Sequence, residues 1–196
     1  MNLFITHQFK ASIEVKQAIM ADAAMIGTIR QVAAAAITAY RNGHKLLLAG
    51  NGGSAGDAQH IAGEMVNRFR FDRPALPAIS LATDTSVLTA IGNDSSFEQV
   101  FARQVEALGT TGDVFIGIST SGKSPNIIRA LQVCAKKGII RVGFTGQDGG
   151  EMAACCDYCI AVPSRETPRI QEAHILIAHI FCALVEETMF GKGFAS

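Results

Sequence analysis

Short apolar runs recur along most of the chain, separated by longer segments in which apolar residues return with a helical period. The runs are residues 45–50, 77–82, 113–118, 139–146 and 157–162. Helices are predicted between them at 54–68, 84–108, 124–137 and 147–155, and a long helix is predicted at 167–190. Strands that alternate with helices are typical of a parallel sheet covered on both faces. The pattern therefore predicts the α/β class, with a five-stranded parallel sheet flanked by helices.

The segment before the first strand is predicted to be helical from about residue 10 to residue 42, and Arg41, Asn42 and Gly43 provide the stop. Its residues 31–40 (QVAAAAITAY) are apolar on several faces. A helix of this kind has to be buried, and a sheet domain covers only one of its faces. We therefore expect residues 1–42 to be an N-terminal helical arm for oligomerisation by closed symmetry, and residues 43–196 to be the sheet domain.

The overall composition limits the partners of the protein. Hydrophobic residues make up 48% of the chain, charged residues make up 17%, and the formal net charge is zero. This balance favours neither nucleic acid nor an anionic membrane as the main partner, so any anion site has to be local. The N-terminus does not have the pattern of a signal peptide, and we expect the apolar stretches to be too short for a bilayer or to be interrupted by His179.

The five cysteines predict a reducing, cytoplasmic environment, because an odd number in a chain with its own core indicates free thiols. Cys156 and Cys159 form a single C-x-x-C pair. One such pair without a second is weak evidence for a metal or redox site, and we expect these thiols to be structural.

Residues 117–124 (GISTSGKS) fit the pattern of a nucleotide-binding P-loop, between a predicted strand and a predicted helix. Two features disfavour a nucleotide. No other predicted strand ends in an acidic residue for Mg²⁺, and Pro125 removes one N–H from the turn. What remains is a cluster of hydroxyls at a helix N-terminus, which can hold a single phosphate without Mg²⁺; an ordinary Gly/Ser connector is the alternative. The cluster is Ser119, Thr120, Ser121 and Ser124.

The turn after the first strand, residues 50–55 (GNGGSA), fits the dinucleotide-binding fingerprint. The acidic residue that should follow about 20 residues later is missing, because Asp84 lies too far along the chain. This disfavours a nicotinamide or flavin cofactor. Ligands of such folds nevertheless lie at the carboxyl ends of strands, where glycine allows close approach to the backbone.

Two predicted helices carry side chains suited to chemistry. His60 and Glu64 are four residues apart and share one helix face. Gln171 and His179 are eight residues apart, which separates them by about 80° around the axis, so they could converge. Two imidazoles, a carboxylate and an amide suit a divalent metal such as zinc, and they also suit proton transfer. Taken singly, Glu64 suits a solvated surface and His179 a helix core, and we expect His174 to be structural.

Six segments together resemble a known family. They are residues 50–65 (GNGGSAGDAQHIAGEM), 73–84 (RPALPAISLATD), 92–94 (GND), 113–126 (DVFIGISTSGKSPN), 144–150 (FTGQDGG) and 169–179 (RIQEAHILIAH). The combination resembles the sugar isomerase (SIS) domain proteins and, among them, the phosphoheptose isomerases. The resemblance implies a flavodoxin-like sandwich, with residues 43–196 as a SIS phosphosugar-binding domain.

The same resemblance implies roles for individual residues. Glu64 and His179 would be catalytic, and one zinc ion per subunit would be held by His60, Glu64, Gln171 and His179. The phosphosugar would be held by Asn51, Gly52, Gly53, Ser54, Asn93, Asp94, Ser119, Thr120, Ser121, Ser124 and Gln171. Lys123 would then make the match to a nucleotide-binding loop accidental. Pro168 stands where phosphoheptose isomerases often have Asp.

The implied reaction converts sedoheptulose 7-phosphate to D-glycero-D-manno-heptose 7-phosphate through an enediolate. It would be the first step of nucleotide-activated heptose synthesis for lipopolysaccharide or capsule, carried out by a cytoplasmic homotetramer. The alternative is a non-catalytic SIS adaptor that binds a replication initiator protein, which residues 67–94 also resemble. That group is expected to lack the helix glutamate and the final histidine, so the presence of Glu64 and His179 favours the enzyme.

Overall fold

The computed structural model describes residues 1–192 and contains one sheet of five parallel strands in the order β2-β1-β3-β4-β5. The strands are β1 (Leu46–Gly50), β2 (Ala78–Ser80), β3 (Val114–Ile118), β4 (Ile140–Thr145) and β5 (Tyr158–Ala161). All five predicted strands are confirmed, and the strand order is that of flavodoxin-like folds. The last four residues of the predicted sheet domain, 193–196, lie outside the described residues.

Within residues 1–192, seven α-helices accompany the sheet. They are α1 (Asn2–Ala21), α2 (Ala23–Arg41), α3 (Gly53–Val66), α4 (Thr85–Asp94), α5 (Ala102–Leu108), α6 (Pro125–Lys137) and α7 (Thr167–Phe190). The helix predicted at 84–108 divides into three parts: α4, a 3-10 turn at Phe97–Gln99, and α5. The helix predicted at 147–155 is a 3-10 helix at Gly150–Cys155. The helix predicted at 167–190 is confirmed at both ends.

The N-terminal arm consists of two helices, which corrects the prediction of a single helix from residue 10 to residue 42. Asp22 separates α1 from α2 with an extended backbone (φ −92°, ψ 92°). Its carboxylate accepts hydrogen bonds from the N–H groups of Ala24 and Met25, both at 3.0 Å. An aspartate that caps the start of a new helix competes with continuation of the previous one, which explains the break.

The two faces of the sheet bury separate hydrophobic cores. On one face Leu46 and Leu48 of β1 pack with residues of α2, α3 and α7. On the other face Leu47 packs with residues of α5 and α6. Successive strand side chains point to opposite faces, so both faces of β1 are apolar because both are covered. Helix α2 shares the first core, whereas α1 buries only Val15 and Ile19. The domain boundary at residue 42 stays a prediction.

Helix α7 is the one described helix that is long and apolar enough to cross a membrane by length and composition. This corrects the expectation that every apolar stretch would be too short or interrupted. Ile170, Ile177 and Phe181 are buried against the sheet, which is how the core helix of a globular protein passes the same test.

The cysteines Cys134, Cys155, Cys156, Cys159 and Cys182 are all free thiols. Burial raises the pKa of Cys134, Cys156 and Cys182 to about 12. A thiol with such a pKa stays protonated at neutral pH and is neither a good nucleophile nor a good metal ligand. These pKa values agree with the structural role expected for them.

A buried carboxylate ties the amino ends of the two central strands together. Asp113, just before β3, is fully buried and accepts hydrogen bonds from the ammonium group of Lys45 at 2.7 Å and from the N–H of Thr110 at 2.8 Å. Burial alone would raise the pKa of Asp113, but these hydrogen bonds together outweigh it and lower the pKa below the ordinary value.

We predict that Asp113→Asn lowers the free energy of unfolding by about 3 kcal/mol at pH 7, because it leaves Lys45 without its partner. A lowered pKa contributes stability above the ordinary value of 3.8, and this contribution is lost as the pH falls through the folded-state pKa. The difference between variant and wild type should therefore shrink below about pH 4. Urea unfolding at several pH values measures it, with the exposed Asp72→Asn as control. Equal unfolding free energies of Asp113→Asn and wild type at pH 7 would contradict the prediction.

Candidate active site

The carboxyl ends of β1 and β3 form one edge of the site. Gly50, the last residue of β1, pairs with Ile118, the last residue of β3, so the segments that follow the two strands start side by side. The Asn51 and Asn126 amides exchange two hydrogen bonds, at 3.0 and 2.9 Å. These bonds join the turn that enters α3 to the first turn of α6.

The serine loop, residues 119–124, gathers hydroxyls at the start of α6. The Ser119 hydroxyl lies 2.7 Å from that of Ser124 and 3.4 Å from that of Ser121. Ser124 is the N-cap residue of α6, but its side chain makes no capping bond to the helix. The first N–H groups of α6 are therefore not satisfied by this side chain, and together with the hydroxyls they suit an anion. Thr120 and Ser121 line a cavity of about 340 Å³ beside the loop.

A glycine turn supports the serine loop from the other side. Gly122 has φ +63°, and a side chain there would collide with the Gly149 carbonyl. The N–H of Met152 donates to the Gly122 carbonyl at 3.0 Å. Backbone therefore packs on backbone at this point, which only glycine permits. The turn is the FTGQDGG segment, residues 144–150.

Two imidazoles and a carboxylate meet where α3 lies beside α7. The Nε2 atoms of His60 and His179 are 2.8 Å apart, which is a hydrogen bond in which one ring donates and the other accepts. An oxygen of Glu64 lies 3.4 Å from the same nitrogen of His60. The side chains of His60 and Glu64 are 44% and 24% exposed, so a ligand can reach them. On its other side, the ring of His179 stacks on Phe69.

The fourth predicted metal ligand lies elsewhere along α7. The Gln171 amide packs against Gly53, at the start of α3. Helices α3 and α7 run in the same direction here, because Gly53 lies near Gln171 while His60 lies near His179. Within residues 1–192, no three His, Cys, Asp or Glu side chains yet surround a common point at metal-ligand distances. Pro168 lies in the exposed first turn of α7, where no intrahelical N–H bond is needed.

The other residues that were predicted to bind the phosphosugar lie at the ends of α3 and α4. Gly52 caps α3 with φ +55°, and Ser54 is buried in the first turn of that helix. Asn93 and Asp94 end α4, where the Asn93 amide donates to the Asp94 carboxylate at 2.7 Å. Asp94 lines a different cavity from the serine loop, one shared with Gln99 and Arg103. The structure therefore does not bring Asn93 and Asp94 into the loop cavity.

Asp57 is a residue of this region that the sequence analysis did not select. It lies one turn before His60 on α3, and one of its carboxylate oxygens is buried without a hydrogen-bond partner among residues 1–192. Burial raises its pKa, and the neighbouring His60 opposes this increase. The D-x-x-H spacing on one helix face was the sequence signal that could have identified it.

The buried His174 is structural, as expected. Its Nε2–H donates to the Thr145 carbonyl at 3.0 Å and so joins α7 to the end of β4. Burial lowers its pKa to about 4, although the hydrogen bond to Thr145 acts in the opposite direction. The ring is neutral at pH 7 and holds the helix rather than carrying a proton.

The parallel sheet and the hydroxyl-rich loop at a helix N-terminus define an α/β protein with a candidate anion site, and residues 9–146 match the SIS domain family. The chain is 63% identical over 196 residues to the phosphoheptose isomerase of Aneurinibacillus thermoaerophilus, covering 100% of this chain and 99% of the relative. It is 60% identical to phosphoheptose isomerase 2 of Campylobacter jejuni, covering 100% and 97%.

Solved structures agree with these sequence matches. A phosphoheptose isomerase from Neisseria gonorrhoeae superposes with a TM-score of 0.89 at 41% identity, covering 95% of this chain and 98% of that one. A phosphoheptose isomerase from Francisella tularensis gives 0.91 at 37% identity, covering 95% and 99%. The chain belongs to the phosphoheptose isomerase family of SIS domain proteins.

Proposed function

We propose that this protein catalyses the aldose–ketose isomerisation of sedoheptulose 7-phosphate to D-glycero-D-manno-heptose 7-phosphate. The observation that carries the proposal is the meeting of His60, Glu64 and His179 on helices that begin at the same sheet edge as the serine loop. One part of the site suits a phosphate and the other suits proton transfer. The reaction would open the synthesis of nucleotide-activated heptose for lipopolysaccharide or capsule in the cytoplasm.

The serine loop holds the phosphate end of the substrate in this proposal. Its hydroxyls and the start of α6 provide donors without a strong positive field, in keeping with a net charge of zero. The side chain of Lys123 is exposed, while its N–H donates to the Ser121 hydroxyl at 3.2 Å. We assign no nucleotide to the loop.

Isomerisation needs a base that removes a proton from the carbon beside the carbonyl. It also needs an acid that delivers a proton to the oxygens. Glu64 is the carboxylate available as base, and the imidazole of His179 is available to hold or deliver a proton to the oxygens. The negative charge of the enediolate develops beside these groups, where donors fixed in advance lower the barrier most.

The adaptor alternative is not favoured. It requires a site without the helix glutamate or the final histidine, whereas Glu64 and His179 both face His60 here. Relatives that are 50–63% identical over nearly the whole chain carry the name phosphoheptose isomerase.

We infer that zinc binds at the paired imidazoles. The Nε2 atom of His60 lies 2.8 Å from that of His179 and 3.4 Å from an oxygen of Glu64, and two imidazoles with a carboxylate are donors that zinc accepts. His60, Glu64 and His179 would hold it. Because a zinc-bound carboxylate is a poorer base, Glu64 would act as base only when it is off the ion. Gln171, the predicted fourth ligand, packs against Gly53 and would have to turn toward the imidazoles to join them. In the metal-free protein the two Nε2 atoms share a hydrogen bond at 2.8 Å, and an ion held by both would take the place of that shared proton. When bound, the ion stabilises the enediolate as a Lewis acid.

Assembly into a homotetramer is proposed from the apolar surface of α1. Its large exposed apolar side chains, many of them more than half exposed, are Leu3, Phe4, Ile5, Phe9, Ile13 and Met20. Arg169 of α7 holds α1 in place by donating to the backbone and the side chain of Gln8, both at 2.9 Å. A fixed helix with this exposed face needs another copy to cover it. Because α1 is attached beside the start of α7, that interface would lie near the active site.

The activity prediction is that purified protein converts sedoheptulose 7-phosphate to the aldose. Glu64→Gln, which removes the base, should lower kcat by roughly 10²–10⁴-fold, the usual contribution of general acid–base catalysis. Glu106→Gln, an exposed carboxylate on α5, is the control and should retain the rate. Folded wild-type protein that converts no substrate, yet binds a replication initiator, would establish the adaptor instead.

The serine loop prediction compares two neighbouring residues. Ser124→Ala should raise the Kd for sedoheptulose 7-phosphate about tenfold, since a hydrogen bond to a charged group contributes about 1.5 kcal/mol. Lys123→Ala should change it less than twofold, because the lysine side chain is exposed and screened by salt. Calorimetric titration measures both. A larger effect of Lys123→Ala, or tight binding of Mg²⁺-ATP, would restore the nucleotide hypothesis.

The metal prediction is one zinc ion per subunit in protein purified without chelator. His60→Ala removes one of the two imidazoles and should lose most of the zinc. His7→Ala, which changes an exposed histidine on α1, should keep it. Elemental analysis against protein concentration measures the ratio. Equal zinc content in wild type and His60→Ala would place the ion elsewhere.

The assembly prediction is a particle with four times the 20.7 kDa mass of the chain. The double variant Phe9→Glu with Ile13→Glu places two charges on the exposed face of α1 and should reduce the mass. Lys10→Glu, which changes an exposed charge on the same helix, should not. Multi-angle light scattering at micromolar concentration measures the mass. A monomeric wild type would contradict the burial argument.

A further inference from the structure

A buried ion pair lies just behind the paired imidazoles. The guanidinium of Arg73 contacts the carboxylate of Glu186 at 3.0 Å, and both side chains are 1% exposed. A buried pair of this kind is stable only when its other donors and acceptors are satisfied. Glu186 also accepts hydrogen bonds from the N–H groups of Phe69 and Arg70, at 2.8 and 2.7 Å.

Arg73 completes the end of the helix that carries Glu64. It donates to the Glu64 and Met65 carbonyls at 2.8 and 2.7 Å. These carbonyls belong to the last turn of α3, where they have no partner within the helix, and a cation there complements the helix dipole. The same guanidinium therefore fixes the last turn of α3 and neutralises the charge of Glu186.

Glu186 lies seven residues after His179 on α7, which places both within about 20° of one helix face. The ion pair thus joins three elements: the last turn of α3, the His179 face of α7, and the segment 67–73 that connects α3 toward β2. Burial alone would raise the pKa of Glu186, but the hydrogen bonds from Phe69, Arg70 and Arg73 outweigh it and lower the pKa. The carboxylate stays charged at neutral pH.

Phe69 reaches from this fixed segment onto His179. The two rings stack with centroids 5.6 Å apart and planes at 27°. The final torsion of a histidine side chain has broad minima, so the ring plane needs a neighbour to hold it. On its opposite side the ring is held by the 2.8 Å bond to His60. An aromatic face therefore sets the direction in which the nitrogens of His179 point.

We propose that Phe69 is a positioning residue for His179 and that the Arg73–Glu186 pair holds Phe69 in place. The inference rests on the proposed function in one respect: that function is what assigns proton transfer and zinc binding to His179. In this role Phe69 acts through its contact with His179 and not on substrate or metal directly. It acts by restricting the ring of His179 to the orientation that meets His60.

Three variants separate positioning from simple space filling. Phe69→Leu keeps an apolar side chain but removes the aromatic face. Phe69→Tyr keeps the aromatic face and should retain the properties that Phe69→Leu loses. Phe71→Leu makes the same chemical change two residues away in the same segment and is the matched control.

The first measurement uses the full-length, metal-free protein and does not depend on activity. Nitrogen-15 labelling of the histidines reports the imidazole N–H proton shared by His60 and His179, and its rate of exchange with water. The proton should be protected in wild type, Phe69→Tyr and Phe71→Leu, and should exchange at least tenfold faster in Phe69→Leu. Equal protection in Phe69→Leu and wild type, or no protected proton in wild type, would overturn the proposal.

The second measurement tests whether the orientation of the His179 ring affects zinc binding and turnover. Zinc affinity, by competition with a chromogenic chelator, should fall about tenfold in Phe69→Leu, the lower end of the range for residues that orient a metal ligand. The kcat should fall by a similar factor while KM changes less than twofold, and Phe69→Tyr should recover both. A lower melting temperature alone would mean that Phe69 only fills space. Loss of zinc binding and turnover in wild type, with the proton still protected, would refute the proposed function and leave the positioning role standing.

Discussion

The parallel pairing of β1 with β3 at the centre of the sheet is the constraint on which the rest of the structure depends. Both strands are fully buried, so their register is fixed by packing on two faces. Because Gly50 pairs with Ile118, the first glycine turn and the serine loop have to emerge together. The helices that follow, α3 and α6, then point their N-termini at a common region, and the exchanged amides of Asn51 and Asn126 fix their spacing. The proposed phosphate site, which has no basic field, follows from this arrangement.

The second half of the site depends on α7, which comes more than a hundred residues after α3 yet lies along it in the same direction. Because α3 and α7 run in the same direction, their first turns lie side by side next to the glycine turn. Their middle turns also lie side by side, and each carries an imidazole. The groups of the site are therefore separated along the helix axes. The amide of Gln171 lies at the level of the turn, and the proposed acid–base groups lie about two helical turns further along, where His60 meets His179.

The sequence predicted the fold well because its strands are buried on both faces, which turns each one into a continuous apolar run. The strand order follows from three-dimensional packing and could not be derived from those runs. Helical spacing correctly grouped His60 with Glu64, and the structure brings His179 to them. The break at Asp22 was missed because an apolar helical pattern continues through it, and only the local capping bonds reveal the new start. Phe69 was missed because an irregular segment has no period to indicate what it touches.

Helix α7 follows all five strands of the described sheet, so the order of synthesis decides when each face of the sheet can close. The face of the sheet that packs on α5 and α6 has its last described core residue at Met152, before α7 begins, whereas the opposite face needs α7 in addition to α2 and α3. During synthesis one side of a nearly complete sheet therefore stays partly uncovered until α7 has been made, and an intermediate with exposed apolar surface is the kind that chaperones bind. Completion of that side and assembly of the imidazole pair are the same event, so a chain truncated before α7 has neither a finished core nor a catalytic centre.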